Sequence, residues 1–347
     1  MNANNATLAS ATFNESVYAA EIEFTLEAVQ QAARLVRLVQ AEMVSPALTK
    51  GDRSPVTVAD FASQALVGSL LSQSFPADPL VAEEDSAALR TPEAASTLAQ
   101  VTGFVQRFLP AATDELVCRW IDHNRADTAP RFWTLDPIDG TKGFLRGDQY
   151  AVALALVVNG QVQVAALGCP NLVDAWQPDL NGAGSVVIAV RGQGTWTTPL
   201  EAAPGAARSF TRLQVSAQAD PTQARMLRSF ESGHTNVDQI GEFARRLGVQ
   251  AAPVLMDSQA KYAVLAAGGG EVLLRLLSPD KPDYKEKIWD QAAGSLVLEE
   301  AGGRLTDLSG HALDFTTGRS LLHNRGLLAS NSWLHPAALQ ALQGVGA

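Results

Sequence analysis

The stretch Trp133-Thr-Leu-Asp-Pro-Ile-Asp-Gly-Thr-Lys-Gly-Phe144 decides how the rest of the chain is read. Residues 132–135 are apolar and partly β-branched, the composition of a strand. Pro137 lacks a backbone N–H and predicts an end to regular pairing. Asp136 and Asp139 then stand at the carboxyl end of that strand, one turn of chain apart. At about 4 Å, with an effective dielectric of about 20, two carboxylates repel by roughly 4 kcal/mol. A cation has to offset that repulsion. The next residues supply no His or Cys suited to zinc, so a hard divalent cation with oxygen ligands, Mg2+ above all, is the simplest answer. Gly140-Thr141 supplies a flexible residue and a hydroxyl, and predicts a short helix whose free N–H groups can meet an anion. The stretch reads as metal carboxylates beside a phosphate cradle. Taken alone, it fits an ordinary turn equally well, because Asp-Pro and Asp-Gly are common turn dipeptides.

The 347 residues suffice for two domains with a substantial core, and 46% apolar with 18% charged residues is the composition of a globular protein. A formal charge of −10 argues against nucleic-acid polymers and anionic membranes as partners. An anionic ligand would therefore need a site made locally positive by metal ions and a few Lys or Arg. Cys118 and Cys169 are too few for a disulfide framework and are expected to be reduced thiols in a cytoplasmic protein. No apolar run approaches a membrane span. Residues 1–15, without the basic and apolar segments of a signal peptide, are expected to form a disordered arm.

Apolar residues recur at three- and four-residue steps over 16–43, predicting a helix. A second helix is predicted over 56–74, with Pro55 at its start and Asp60 near its beginning, where a carboxylate could simply answer the helix dipole. Leu80-Val-Ala is a short strand ending in Glu83-Glu-Asp85. Residues 90–116 read as a helical insertion or lid over the sheet. Two alternating strands, 150–158 and 162–167, are joined by Asn159-Gly160, the strongest short hairpin signal. A strand over 184–190 follows, and 197–209 is the best candidate linker. The second half alternates strand and helix over 213–216, 222–229, 237–247 and 254–256, which suggests largely parallel pairing. A strand over 271–277 precedes a polar loop, then Trp289-Asp290, a helix over 291–301 stopped by Gly302-Gly303, and a closing strand over 304–308.

Four separated pieces now line up: Asp60, the Ala82-Glu83-Glu84 step, Asp136-Pro-Ile-Asp139-Gly-Thr141, and Trp289-Asp290 before Ala301-Gly-Gly303. The combination resembles the lithium-sensitive, magnesium-dependent phosphomonoesterases of the inositol monophosphatase superfamily, over about residues 17–330. Ala82 stands where that family commonly has Gly. The resemblance implies a layered α/β/α/β/α sandwich. Its two expected parts are a metal-binding α+β domain over 16–200 and a nucleotide-binding α/β domain over 201–347, with the active site between them. Within the superfamily, Asp139-Gly-Thr-Lys-Gly-Phe-Leu-Arg146, Glu231-Ser-Gly-His234, Leu255-Met-Asp-Ser-Gln-Ala-Lys-Tyr262, Val272-Leu-Leu-Arg275 and Tyr284-Lys-Glu-Lys-Ile-Trp-Asp290 look like the 3'(2'),5'-bisphosphate nucleotidase branch.

Glu83, Asp136, the Ile138 carbonyl, Asp139 and Asp290 are oxygen donors suited to two or three Mg2+ ions. Asp60 and Thr141 are expected to form the water-activating pair, with Gly140 and Thr141 also meeting the phosphate. Direct attack by water is favoured because no G-x-S-x-G nucleophile elbow is present. The resemblance implies that His234, Ser258, Lys261, Arg275 and Asp290 hold the nucleotide. Arg275 interrupts an otherwise apolar strand, where a buried guanidinium needs an anionic partner. His234 and Lys261, in contrast, also fit a surface histidine and a lysine lying over apolar surface. The expected reaction is hydrolysis of adenosine 3',5'-bisphosphate to AMP and phosphate, with 3'-phosphoadenylyl sulfate as a second substrate, by a monomer or homodimer. Two rivals are an inositol polyphosphate 1-phosphatase and a non-catalytic nucleotide sensor with the same fold; the intact acidic set argues against the sensor.

Overall fold

The computed structural model describes residue 13 and residues 15–43, 54–123, 125–127, 129–201, 208–230 and 237–345. The first half contains α1 (Ala19–Met43), α2 (Ser54–Ser74), β1 (Leu80–Ala82), α3 (Ala95–Gln106), α4 (Asp114–Ile121), β2 (Arg131–Asp139) and α5 (Thr141–Arg146). Then come β3 (Ala151–Val158), β4 (Gln161–Cys169), β5 (Leu172–Val173), β6 (Gln177–Pro178), β7 (Ser185–Val190), β8 (Gly194–Pro199) and β9 (Thr211–Leu213). The second half contains β10 (Met226–Arg228), α6 (Val237–Leu247), β11 (Val254–Leu255), α7 (Ala260–Ala266) and β12 (Val272–Arg275). It closes with α8 (Ala292–Glu300), β13 (Arg304–Thr306), β14 (Leu327–Ser330) and α9 (His335–Gln343).

Among the described residues, seven strands form one sheet in the order β1-β2-β3-β4-β7-β8-β9, and five form another in the order β11-β10-β12-β14-β13. Strand alternation sorts their side chains into three cores. Trp133, Leu135, Leu154, Leu156, Val164 and Ile188 pack with α1 and α2 on one face of the large sheet. Ala153, Ala155, Ala165 and Ala189 point to the other face, where their small size lets α7 and α8 approach. Those helices also cover Leu227, Leu273 and Ala329 of the small sheet. Its far face, with Met226, Val272, Leu274 and Leu328, is closed by α6 and α9. The layers run helix, sheet, helix, sheet, helix, the expected α/β/α/β/α sandwich. The middle layer is tight: a Cβ added at Gly294 in α8 would lie 2.1 Å from the Tyr262 ring.

Several details differ from the sequence reading. Pairing is mixed: β1–β2, β10–β11 and β10–β12 are parallel, whereas β12–β14, β13–β14 and the rest of the large sheet are antiparallel. Residues 197–199 belong to β8 and are paired with β7 instead of linking domains, and residues 202–207 lie outside the described set. In place of one helical insertion over 90–116, two helices, α3 and α4, are separated by a turn over 107–113; both lie against α2 and add to the first core. Of the expected N-terminal arm, residues 1–12 and 14 lie outside the described residues, but Phe13 is buried edge-on against Trp196 and Phe210. The Asn159-Gly160 hairpin is present, with φ of 50° and 76°. Among the described residues, no helix is long and apolar enough to cross a membrane.

A fully buried histidine anchors α9 to the small sheet. The two ring nitrogens of His335 meet Ser330 Oγ at 2.8 Å and Thr306 Oγ1 at 3.1 Å. Burial, aided by Arg304, lowers its pKa from 6.5 to about 4. A depressed pKa contributes stability that is full above the unfolded value and is lost as pH falls through the folded one. The expected window is therefore pH 6.5 down to about 4. In urea unfolding, the stability gap between wild type and His335→Gln should narrow by about 2 kcal/mol between pH 7 and pH 5. A gap of constant size would show that His335 does not titrate in this way.

Candidate active site

Asp136 and Asp139 both belong to β2, and their three-residue separation would put them on opposite faces of a regular strand. A bulge reverses that parity. Asp136 pairs with Ala153 and Asp139 with Ala151, so two residues of β2 oppose Val152 alone. Leu135 and Ile138 both pack toward α1 and α2, which sends both carboxylates to the α8 side. Pro137, lacking a donor, suits the bulge, and pairing resumes at Asp139 instead of ending at the proline. Asp136 Oδ1 accepts the Ile138 N–H at 3.1 Å, which fixes the turn. Gly140 follows at φ +92°, and α5 begins at Thr141. A Cβ on Gly140 would lie 2.7 Å from Ser258 Cβ, so glycine is required for the Ser258 loop to dock here.

The other acids arrive on separate elements. Asp60 is the seventh residue of α2, beyond the first turn, and is buried, which removes a plain capping role. Glu83 and Glu84 follow β1. Gln64 of α2 holds that turn, donating to the Glu84 carbonyl at 2.8 Å and accepting its N–H at 3.1 Å. Asp290 precedes α8, in the middle layer. Burial and mutual repulsion mark their convergence. The Asp136 carboxyl is raised well above its ordinary range, first by burial and then by Asp139, Glu83, Asp290 and Asp60. Asp290 is raised well above by burial and Asp139, and Asp60 by burial, Glu84 and Glu83. Glu83 reaches solvent at the rim, yet the surrounding protein, Glu84 and Asp139 push it up to about 7.

Cations from the second half face this group. Lys261 Nζ donates to Ser229 Oγ at 2.8 Å, and burial lowers its pKa to about 8, against the pull of Asp139. Arg275 Nε pairs at 2.9 Å with the buried Glu286, and its guanidinium lies 5.8 Å from the Tyr284 ring. Burial acts against the Arg275 charge, but Glu286 and Asp290 outweigh it and hold the pKa up. The anion that the guanidinium needs is therefore supplied from within the fold by Glu286, a partner the sequence reading did not identify. His234 lies outside the described residues.

Gln259 was also missed, and it joins the two halves of the site. Its backbone N–H donates to Asp139 Oδ2 at 2.7 Å, its Nε2 donates to the Trp289 carbonyl at 2.9 Å, and its Oε1 accepts from Gly294 N at 3.0 Å. One buried amide thus fixes Asp139 relative to the segment bearing Asp290. The only sequence signal was its place beside Ser258 and Lys261.

The donor set, carboxylates plus the Ile138 carbonyl, fits a hard divalent cation. Among the described residues, no group of three or more His, Cys, Asp or Glu closes into a preformed cage. The inositol monophosphatase family profile matches residues 14–347. A rice protein named 3'(2'),5'-bisphosphate nucleotidase is 42% identical over 94% of each chain. A Schizosaccharomyces pombe protein of the same name is 40% identical over 94% of this chain and 96% of its own. The solved inositol monophosphatase from Anabaena superposes with a TM-score of 0.62 at 19% identity, covering 95% of this chain and 97% of that one. The chain therefore belongs to the inositol monophosphatase family, and with it to the metal-dependent phosphatases.

Proposed function

We propose that the protein hydrolyses the 3'-phosphate of adenosine 3',5'-bisphosphate to give AMP and phosphate, with 3'-phosphoadenylyl sulfate as a second substrate. The observation that carries the substrate assignment is the near end-to-end identity of 42% to a protein bearing the bisphosphate nucleotidase name. Residues 16–200 would contribute most of the metal carboxylates, and residues 201–347 the nucleotide groups. Two free, buried cysteines suit a cytoplasmic setting.

Glu83, Asp136, the Ile138 carbonyl, Asp139 and Asp290 would hold two or three Mg2+ ions. When bound, these ions would polarise the phosphoryl oxygens, lower the pKa of an attacking water and neutralise the leaving oxygen. Asp60 would accept a hydrogen bond from the Thr141 hydroxyl, which in turn would orient the water in line with phosphorus. Water's oxygen would form the new P–O bond as the bond to the 3'-oxygen breaks; the water gives up one proton, the 3'-oxygen takes one up, and it leaves as the hydroxyl of AMP. Gly140 and Thr141 would meet the phosphoryl oxygens with backbone N–H groups; α5 has only six residues, so these local donors matter more than any helix dipole. At the far end, Ser258, Lys261, Arg275, Asp290 and His234 would contact the nucleotide.

Asp60→Asn should fold and bind metal while kcat falls by about 10²-fold, the scale of general-base contributions. Near wild-type kcat in a folded Asp60→Asn would remove the water-activating pair. Lys261 should serve binding alone. A charge-assisted hydrogen bond contributes about 1.5–3 kcal/mol, so Lys261→Ala should raise KM for adenosine 3',5'-bisphosphate by roughly 10- to 100-fold with kcat little changed. On a small phosphomonoester without the nucleotide, the same variant should behave as wild type. Equal losses on both substrates would assign Lys261 to the reacting phosphate or to the fold.

A further inference from the structure

Arg319 comes from a loop between β13 and β14, far in sequence from the acidic motifs, yet it reaches the carboxyl end of β1. Its Nη2 donates to the Ala82 carbonyl at 2.7 Å and to the Glu83 carbonyl at 3.4 Å. The guanidinium carbon lies 4.6 Å from the ring centre of Trp289, the residue before Asp290. One side chain therefore touches the segments bearing Glu83 and Asp290. Backbone pairing fixes its approach: Ser320 bridges antiparallel to Lys287, Ile288 N donates to the Arg319 carbonyl at 3.1 Å, and Leu321 N donates to the Glu286 carbonyl at 2.9 Å. Gly318, at φ +87°, turns the chain into this position. Among the described residues, Arg319 Nη1 is buried without a hydrogen-bond partner, so surrounding contacts hold the guanidinium in place although one of its donors is unused.

We propose that Arg319 is a positioning residue that fixes the separation of Glu83 and Asp290, and so the width of the ion site. This rests on the reading of those two residues as metal ligands. Charge and geometry here predict opposite signs. A guanidinium near a dication repels it, so on charge alone the loss of Arg319 would tighten ion binding. The loss of its contacts removes one restraint from the end of β1 and one from the Trp289 ring, which weakens ion binding. Geometry wins because the contacts to Ala82, Glu83 and Trp289 are direct, whereas the side chain that carries the charge still reaches solvent in part, which screens it. Outer partners of metal ligands typically change affinity by about 10- to 100-fold.

The test is Mn2+ binding, followed by electron paramagnetic resonance, to the full chain of wild type, Arg319→Met and Arg319→Lys, with thermal melting as the check on folding. The Mn2+ Kd should rise about 10-fold or more in Arg319→Met. It should rise less in Arg319→Lys, which keeps the charge but loses the planar fork. Unchanged or tighter Mn2+ binding in a folded Arg319→Met overturns the proposal. Should Arg319→Met fail to fold, Arg319→Lys decides, because binding equal to wild type overturns it as well. Wild type that binds no Mn2+ overturns the reading of Glu83 and Asp290 as ligands, and the positioning role with it.

Discussion

The structure depends on crowding carboxyl groups at the ends of its strands. Asp136, Asp139, Asp60, Glu83 and Asp290 come from three segments of the first half and one of the second. Burial raises the carboxyl of each, joined by mutual repulsion at all but Asp139, where Lys261, Gln259 and Arg275 pull the other way. Such a group destabilises the fold unless cations offset it. Much of the local architecture keeps these acids in place despite that cost. The bulge at Pro137 sends Asp136 and Asp139 to one face, Gln64 holds the Glu83-Glu84 turn, Gln259 ties Asp139 to Trp289, and Arg319 reaches Ala82. Folding stability is spent here on a site that a divalent cation would complete.

The same constraint explains where the positive charge sits. A chain of net charge −10 repels a bisphosphate at long range, so recognition has to come from local cations. Lys261 and Arg275 stand opposite Asp139, and both interact with its charge. They differ in commitment. Arg275 is paired with Glu286, which Gln291 also holds at 3.1 Å, so the guanidinium is part of a buried network that orders the wall of the site. Lys261 donates to the neutral Ser229 hydroxyl, and burial disfavours its charge; a ligand phosphate would relieve that. Of the two, Lys261 would be the better reporter in a test of nucleotide binding.

The fold was legible wherever periodicity and turn chemistry agreed. Asn159-Gly160 could form only a tight hairpin, and Gly302 at φ +91° ends α8 where the sequence placed its stop. The acidic positions were legible because four short motifs recurred in the right order. Strand direction in the second half was not: β12 and β14 are both short apolar runs, and nothing in such a run tells parallel from antiparallel pairing. The role of residues 197–199 was hidden because Thr197-Thr198-Pro199 reads as loop in composition, although β7 pairs with all three and the two threonines are buried. Glu286, Gln259 and Arg319 escaped for a common reason. Each acts through a tertiary contact, Gln259 and Arg319 with partners more than a hundred residues away and Glu286 across a polar loop to Arg275, and no local pattern in the sequence records such a pairing.

The central claim is that one acidic cluster cuts a phosphate and that the cations opposite it choose a nucleotide. The most direct measurement is kcat/KM for adenosine 3',5'-bisphosphate and for inositol 1-phosphate, by phosphate release, with saturating Mg2+ and again in excess EDTA. Two charge-assisted contacts, at about 1.5–3 kcal/mol each, predict a preference of about 10²-fold or more for the bisphosphate, with both activities abolished by EDTA. Equal or reversed preference, or activity that survives chelation, would contradict the account.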